Sequence, residues 1–197
     1  GLAKLSAAGI PTIAVLHGLS TAGGAYQPGM SDYVIGVKKN GMAALAGPAL
    51  LKAATGEIAL NEELGGSEMH ARVTGLVEYL ADDDEHALRI VRDLIDKIDW
   101  NTKILKRQPI LYEEPIYDTK ELIGIVSVDY KVPYDVRELI ARIVDGSDFI
   151  DFKAEYGLST VCVQTKINGY SCGIIGNNGP IDPNGATKSA QFIQLCD

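Results

Sequence analysis

The sequence predicts an α/β chain, and three observations carry that prediction. Short apolar runs stand between breakers, apolar residues recur at helical spacing elsewhere, and the first half orders these as strand, helix, strand, helix. Composition agrees: of 197 residues, 46% are hydrophobic and 22% charged, as in average globular chains, so a packed core is expected. The length suits one domain or parts of two.

Leu2 to Ala8 can form a short helix closed by Gly9, whose tolerance of positive φ suits a helix C-terminus. Ile10-Pro11-Thr12-Ile13-Ala14-Val15-Leu16 is apolar and partly β-branched, the pattern of a strand buried on both faces. It feeds a glycine-rich stretch. Tyr33 to Val37 repeats the strand pattern, and Pro48 to Ala54 predicts another short helix. From Asp83 onward, Ala87, Ile90, Val91, Leu94, Ile95 and Ile98 follow helical spacing behind an acidic start that favours the N-terminal dipole.

The pattern fails after Trp100. Asn101 to Asp118 holds Pro109, Pro115 and several charges and is expected to be a linker carrying a domain boundary. A further helix begins near Pro133-Tyr134-Asp135, carries Val136, Leu139, Ile140 and Ile143, and stops at Gly146. Thr160 to Ile167 and Ser171 to Ile175 are strand-like, and the Asn168-Gly169 between them predicts a hairpin. Gly185 to Leu195 has helical composition, and the chain looks cut at both ends.

Composition also excludes function classes. A net charge of −8 and a pI near 4.9, with no basic stripe, argue against a nucleic-acid partner. No apolar run approaches the roughly 20 residues that span a bilayer, and no signal peptide is visible. Cys162, Cys172 and Cys196 lack C-x-x-C spacing, so neither a disulfide framework nor zinc is expected, and a reducing compartment fits. His17, His70 and His86 lie far apart, so no metal is expected.

Chemistry concentrates in His17-Gly18-Leu19-Ser20-Thr21-Ala22-Gly23-Gly24-Ala25-Tyr26, between a strand and the expected start of a helix. Adjacent glycines let a backbone approach a ligand, and N–H groups at a helix start are unpaired and favour an anion or a developing oxyanion. From the glycines alone, an oxyanion hole and a plain strand-to-helix turn stand side by side.

Thr21-Ala22-Gly23-Gly24-Ala25-Tyr26 followed by Met30-Ser31-Asp32-Tyr33 resembles the N-domain signature of carboxyltransferase subunits of biotin-dependent acyl-CoA carboxylases. Leu45-Ala46-Gly47-Pro48, Lys52 to Glu57, Glu63-Leu64-Gly65-Gly66 and Asp83-Asp84-Glu85 follow in the family's order. Pro133 to Arg137, Ile143 to Ser147 and Gly173 to Gly179 resemble the start of its C-domain. The likeness covers essentially the full chain. It implies a crotonase-like spiral of ββα units in two partial lobes: 1–100 as the latter part of the N-domain, 101–118 as linker, and 119–197 as the start of the C-domain.

The resemblance implies transfer of a carboxyl group from carboxybiotin, on a separate carrier domain, to the enolate of a coenzyme A thioester. Gly23, Gly24 and Ala25 would stabilise the enolate oxygen. Thr21, Ala22 and Tyr26, with Thr55-Gly56-Glu57 and Gly65-Gly66, would line the substrate cleft, although polar turns and core packing explain the same residues. A second oxyanion hole, for biotin, would lie beyond Asp197. Expected partners are a biotin carboxylase and biotin carrier subunit and other copies through N-domain to C-domain contacts, in bacterial cytoplasm or the mitochondrial matrix. Ala49, Gly176 and Pro180 resemble the methylcrotonyl-CoA and geranyl-CoA branch. Two other readings remain: a crotonase-fold hydratase, isomerase or decarboxylase, with His17 the only nearby acid or base, and an inactive truncated assembly piece.

Overall fold

Leu2–Ala7 form α1, and Gly9, at φ 70°, ends it by the expected left-handed route: the Gly9 N–H reaches the Ser6 carbonyl and the Ile10 N–H that of Leu5. The computed structural model describes residues 1–98, 111–129 and 131–197. They divide into two units, Gly1–Asp93 and Leu94–Asp197. The predicted α/β class holds in both.

In the first unit β1 (Ile13–Leu16), β2 (Leu19–Thr21), a 3-10 turn (Ala22–Ala25) and α2 (Tyr26–Gly29) follow one another. Then come β3 (Tyr33–Val37), β4 (Met42–Ala44), α3 (Pro48–Thr55), α4 (Asn61–Gly65), α5 (Ser67–Met69), a π-helical turn (His70–Thr74) and β5 (Tyr79–Ala81). The strands β1, β3 and β5 make a parallel sheet in the order β1-β3-β5, while β2 and β4 form a separate parallel pair.

Burial on both faces, expected of β1, belongs to β3, whose five residues are all buried at the centre of the sheet. At the sheet's edge β1 is half-buried except at Leu16. The core here joins Leu16, Val34, Ala43, Ala71 and Val77. Strands of three residues carry no readable alternation, which is why β2, β4 and β5 have no counterpart among the predicted elements.

The helix α6 (Asp84–Lys97) is capped by Asp83, whose carboxylate accepts the His86 N–H at 2.7 Å. Ala87 and Leu94 are fully buried on it, but Ile95, assigned to the same stripe, is half exposed. Of the expected linker, 101–110 lie outside the described residues, and 111–118 form no regular element.

The second unit continues with α7 (Leu122–Ile125), α8 (Val136–Ile140), β6 (Phe149–Phe152), β7 (Thr160–Ile167), β8 (Tyr170–Asn177) and α9 (Pro183–Cys196). Asp135 caps α8 by accepting the Arg137 N–H, but this helix stops sooner than the expected Gly146, tightening into i→i+3 bonds from Arg142 to Leu139 and Ile143 to Ile140. The Asn168-Gly169 hairpin forms as expected, with φ of 51° and 78°, and Asp145 accepts both turn N–H groups.

The antiparallel sheet β6-β7-β8 has apolar packing on both faces. Val161, Val163 and Ile174 meet Val136, Ile140 and Val144 on one face. On the other, Phe152 meets Phe192 of α9 with ring centroids 5.3 Å apart. Lys188 of α9 is fully buried and donates to the carbonyls of Thr160 at 2.8 Å and Tyr156 at 3.1 Å. Burial pulls its amine below the ordinary lysine range.

Candidate active site

The glycine stretch does not leave β1 directly, as the sequence suggested. The chain first passes Gly18 and forms β2, and that strand delivers the turn. Thr21 ends β2 in an extended conformation, and Ala22 turns to a left-handed φ of 50°, uncommon for a residue with a side chain and unfavourable by about 1 kcal/mol. Beyond β4, the Leu45 carbonyl accepts the Ala22 N–H at 3.2 Å and holds that residue in place.

In an i→i+3 turn that begins at Ala22, the N–H groups of Ala22 and Gly23 have no acceptor inside the turn. The first goes to Leu45, which leaves the Gly23 N–H as the donor the turn can offer. Thr21, Ala22, Gly23 and Gly24 are all exposed. A side chain at Gly23 would meet open space, whereas one at Gly24 would sit 3.1 Å from Ser20 Oγ. Ala25 is half-buried against the core, and Tyr26 stays 64% exposed, so Tyr26 does not pack beneath the turn.

The loop Thr55-Gly56-Glu57 is the C-terminal cap of α3. Gly56 is left-handed and its N–H reaches the Lys52 carbonyl, while Thr55 Oγ1 accepts the Glu57 N–H at 3.2 Å. All three residues are exposed. Gly65 and Gly66 instead lie against β4: a Cβ at Gly65 would come 2.3 Å from the Ala43 carbonyl oxygen, so only glycine fits there. Their packing alone accounts for both glycines.

His17 is turned elsewhere, with its Nδ1 3.8 Å from Asp84 Oδ1 at the start of α6 and its carbonyl accepting from Asn40. Asp32, just after α2, is held below the ordinary aspartate range. Burial pushes it up, but hydrogen bonds from the Ser6 and Thr12 hydroxyls and the Thr12 N–H outweigh that push. This ties the end of α2 to the entry of β1. Gly176 faces α8, and a Cβ there would lie 2.8 Å from Val136 Cγ2, so the packing of the hairpin against that helix accounts for this glycine.

One cluster escaped the sequence reading. Ser67 N–H and Oγ donate to the Gly41 carbonyl at 2.9 and 3.0 Å, and His70 Nε2 lies 2.7 Å from the Ala43 carbonyl. The Gly65-Gly66 pair preceding a serine and, three residues later, a histidine was the available signal. The thiols of Cys162, Cys172 and Cys196 are free. Among the described residues no group of three His, Cys, Asp or Glu is placed to hold a metal, and no helix is long and apolar enough to cross a membrane.

The Carboxyl transferase domain family matches residues 2–197, and the chain belongs to that family. It is 49% identical over 197 residues to the probable biotin-dependent acyl-coenzyme A carboxylase beta2 subunit of Mycobacterium tuberculosis, covering 100% of this chain and 37% of that protein. It is 47% identical over 201 residues to the biotin-dependent 3-methylcrotonyl-coenzyme A carboxylase beta1 subunit of the same organism, covering 99% and 37%. The mitochondrial methylcrotonoyl-CoA carboxylase beta chain of Arabidopsis thaliana is 46% identical over 197 residues, covering 98% and 34%. A transcarboxylase 12S crystal structure with methylmalonyl-coenzyme A and methylmalonic acid bound matches at TM-score 0.88 and 34% identity, over 99% of this chain and 39% of that one. The chain thus spans a little over a third of the length of these relatives, and its α/β fold is the crotonase-like one that the resemblance implies.

Proposed function

We propose that the chain is part of the carboxyltransferase component of a biotin-dependent acyl-CoA carboxylase, with 1–100 from its N-domain and 119–197 from its C-domain. The acyl group is methylcrotonyl or geranyl. The observation that carries the reading is the exposed Ala22–Ala25 turn, where the Leu45 carbonyl occupies the first N–H and leaves that of Gly23 for a ligand.

Removal of an acyl-CoA proton places negative charge on the thioester oxygen. A fixed backbone donor stabilises that charge more than it stabilises the neutral carbonyl, so the interaction lowers the barrier and does not merely tighten binding. Gly23 supplies that donor, and Gly24 and Ala25, expected in the same role, shape the turn that presents it. The open space at Gly23 lets the thioester approach the backbone closely. Thr21, Ala22 and Tyr26 flank it, and the exposed cap Thr55-Gly56-Glu57 is assigned to the cleft wall. Carboxybiotin on a separate carrier domain would supply the carboxyl group and, as carbon dioxide leaves, the base for the proton. A hydratase or isomerase needs its own acid or base, and the nearest candidate, His17, lies beside Asp84 at the start of α6, with β2 between it and the turn.

Partners in this reading are a biotin carboxylase and carrier subunit and further copies of the subunit, in the bacterial cytoplasm or mitochondrial matrix. The test is carboxylation by the full-length subunit assembled with those partners, supplied with bicarbonate and ATP. Methylcrotonyl-CoA or geranyl-CoA is expected to be consumed faster than propionyl-CoA. Preference for propionyl-CoA would overturn the acyl assignment, and no carboxylation of any of the three would overturn the activity.

A further inference from the structure

We propose that His70 is a positioning residue for the Ala22–Ala25 turn, acting through the side of β4 that faces away from β2. The inference rests on reading that turn as the site of the thioester oxygen.

The strand β4 has β2 as its partner strand, and on its other side it meets a single antiparallel bridge, Met42 to Gly66, so the carbonyls along that side depend on the segment around Gly66 for their donors. Gly41 and Ala43, two residues apart, direct their carbonyls the same way, and the segment after Gly66 meets both. Ser67 takes Gly41 with its N–H and its hydroxyl, and His70 Nε2 takes Ala43 at 2.7 Å. A carbonyl only accepts, so Nε2 carries the proton. The other ring nitrogen lies 2.8 Å from Thr74 Oγ1, and that oxygen accepts the Leu76 N–H at 3.2 Å. The Thr74 hydroxyl also reaches the His70 carbonyl at 3.3 Å, so the ring is held at both of its nitrogens and cannot swing away from β4.

The clamp matters because of what β4 holds in turn. Hydrogen bonds on either side of it, Met42 N–H to Gly18 and Ala22 N–H to Leu45, fix the entry to β2 and the first residue of the turn. Ala22 sits in an unfavourable left-handed conformation and keeps it only while the Leu45 carbonyl stays in place. Leu45 is two residues beyond the carbonyl that His70 anchors. Without the Nε2 proton, the Ala43 carbonyl is left buried without this donor, β4 shifts to relieve it, and the Gly23 N–H tilts away from the oxygen it must meet. An apolar ring or chain of the same size fills the space and fails at this one task.

The test compares His70→Leu, His70→Gln and Gly23→Val in the full-length enzyme with its carrier partner. Glutamine can offer an N–H near the position of Nε2, and leucine cannot. The expected result is a fall in kcat of about tenfold or more in His70→Leu, with acyl-CoA KM changed less than about twofold, and recovery of most of kcat in His70→Gln. A kcat within about twofold of the parent in His70→Leu, an equal loss in both variants, or a loss confined to KM would overturn the proposal. Should His70→Leu fail to assemble, Thr74→Val carries the test. It removes the hydroxyl that orients the ring, kcat is expected to fall, and an unchanged kcat overturns the proposal. Turnover lost in Gly23→Val but kept in His70→Leu rejects the positioning role alone. Turnover kept in Gly23→Val rejects the turn's role and this inference with it.

Discussion

The two units solve opposite problems. In Gly1–Asp93 the strands run three to five residues, and the proposed site is an exposed backbone turn whose first N–H donates to the Leu45 carbonyl, beside a strand where the Gly41 and Ala43 carbonyls meet Ser67 and His70. In Leu94–Asp197 two eight-residue strands form one hairpin with apolar packing on both faces, and even a lysine is fully buried there. A backbone donor cannot serve a ligand while covered by a core. The first unit therefore holds its proposed site by directed polar contacts, and the second holds its strands by packing.

That contrast sets a scale of expected effects. The largest is the activity of the 197-residue chain by itself. It spans little more than a third of the length of its relatives, so incubation with labelled carboxybiotin and methylcrotonyl-CoA is expected to give no transfer. Alignment of two substrates supplies roughly 7–11 kcal/mol, and half a site cannot supply it. Stoichiometric label on the thioester would break the comparison, because it would place a complete site inside these two units.

Next comes the core of the second unit. Phe152→Ala removes a fully buried ring packed on Phe192 and is expected to cost about 3–5 kcal/mol, read from denaturant unfolding of the full-length subunit. A loss below about 1 kcal/mol would mean that packing does not set the stability of this unit.

How much of this the sequence disclosed follows the same divide. The strand β7, the middle of β8 from Ser171 to Ile175, the Asn168-Gly169 turn and the amphipathic stripe of α6 were legible because each is long enough to show a period or carries specific turn chemistry. The strands β2, β4 and β5 were not, since three residues have no period, and their pairing depends on contacts distant in sequence. For the same reason the glycine turn was found but misplaced by one strand. His70 was legible only as a lone histidine; its role needed the Ala43 carbonyl, 27 positions away.

A smaller effect concerns pH in the first unit. The Asp32 carboxylate is held below its ordinary range by its hydrogen bonds, burial notwithstanding, so its contribution to stability is complete above about pH 4 and is lost as pH falls through the folded-state value. Asp32→Asn is expected to lower stability at pH 7, and its deficit relative to the parent to shrink on titration from about pH 5 towards 2. A deficit that stays constant with pH would show that the carboxylate's charge is not what joins α2 to β1. Smallest is Arg89→Ala, which breaks an exposed pair with Glu85 on α6 and should change stability by less than about 0.5 kcal/mol, as a thermal melt would show. A larger loss would mean that surface ion pairs matter here beside packing.

The central claim, that the exposed turn stabilises the thioester enolate, is tested most directly at Gly23. Gly24 is a poorer probe because a side chain there presses on Ser20 Oγ, whereas one at Gly23 enters open space and leaves the fold unstrained. The measurement is acyl-CoA carboxylation by the assembled Gly23→Val enzyme beside its unfolding temperature. The N–H survives the substitution, but the valine side chain fills the space through which the thioester oxygen reaches it. The account therefore expects turnover to fall by about 10²–10³, as when one oxyanion donor is removed, with the unfolding temperature unchanged. Folded Gly23→Val enzyme that carboxylates at the parent rate would contradict it.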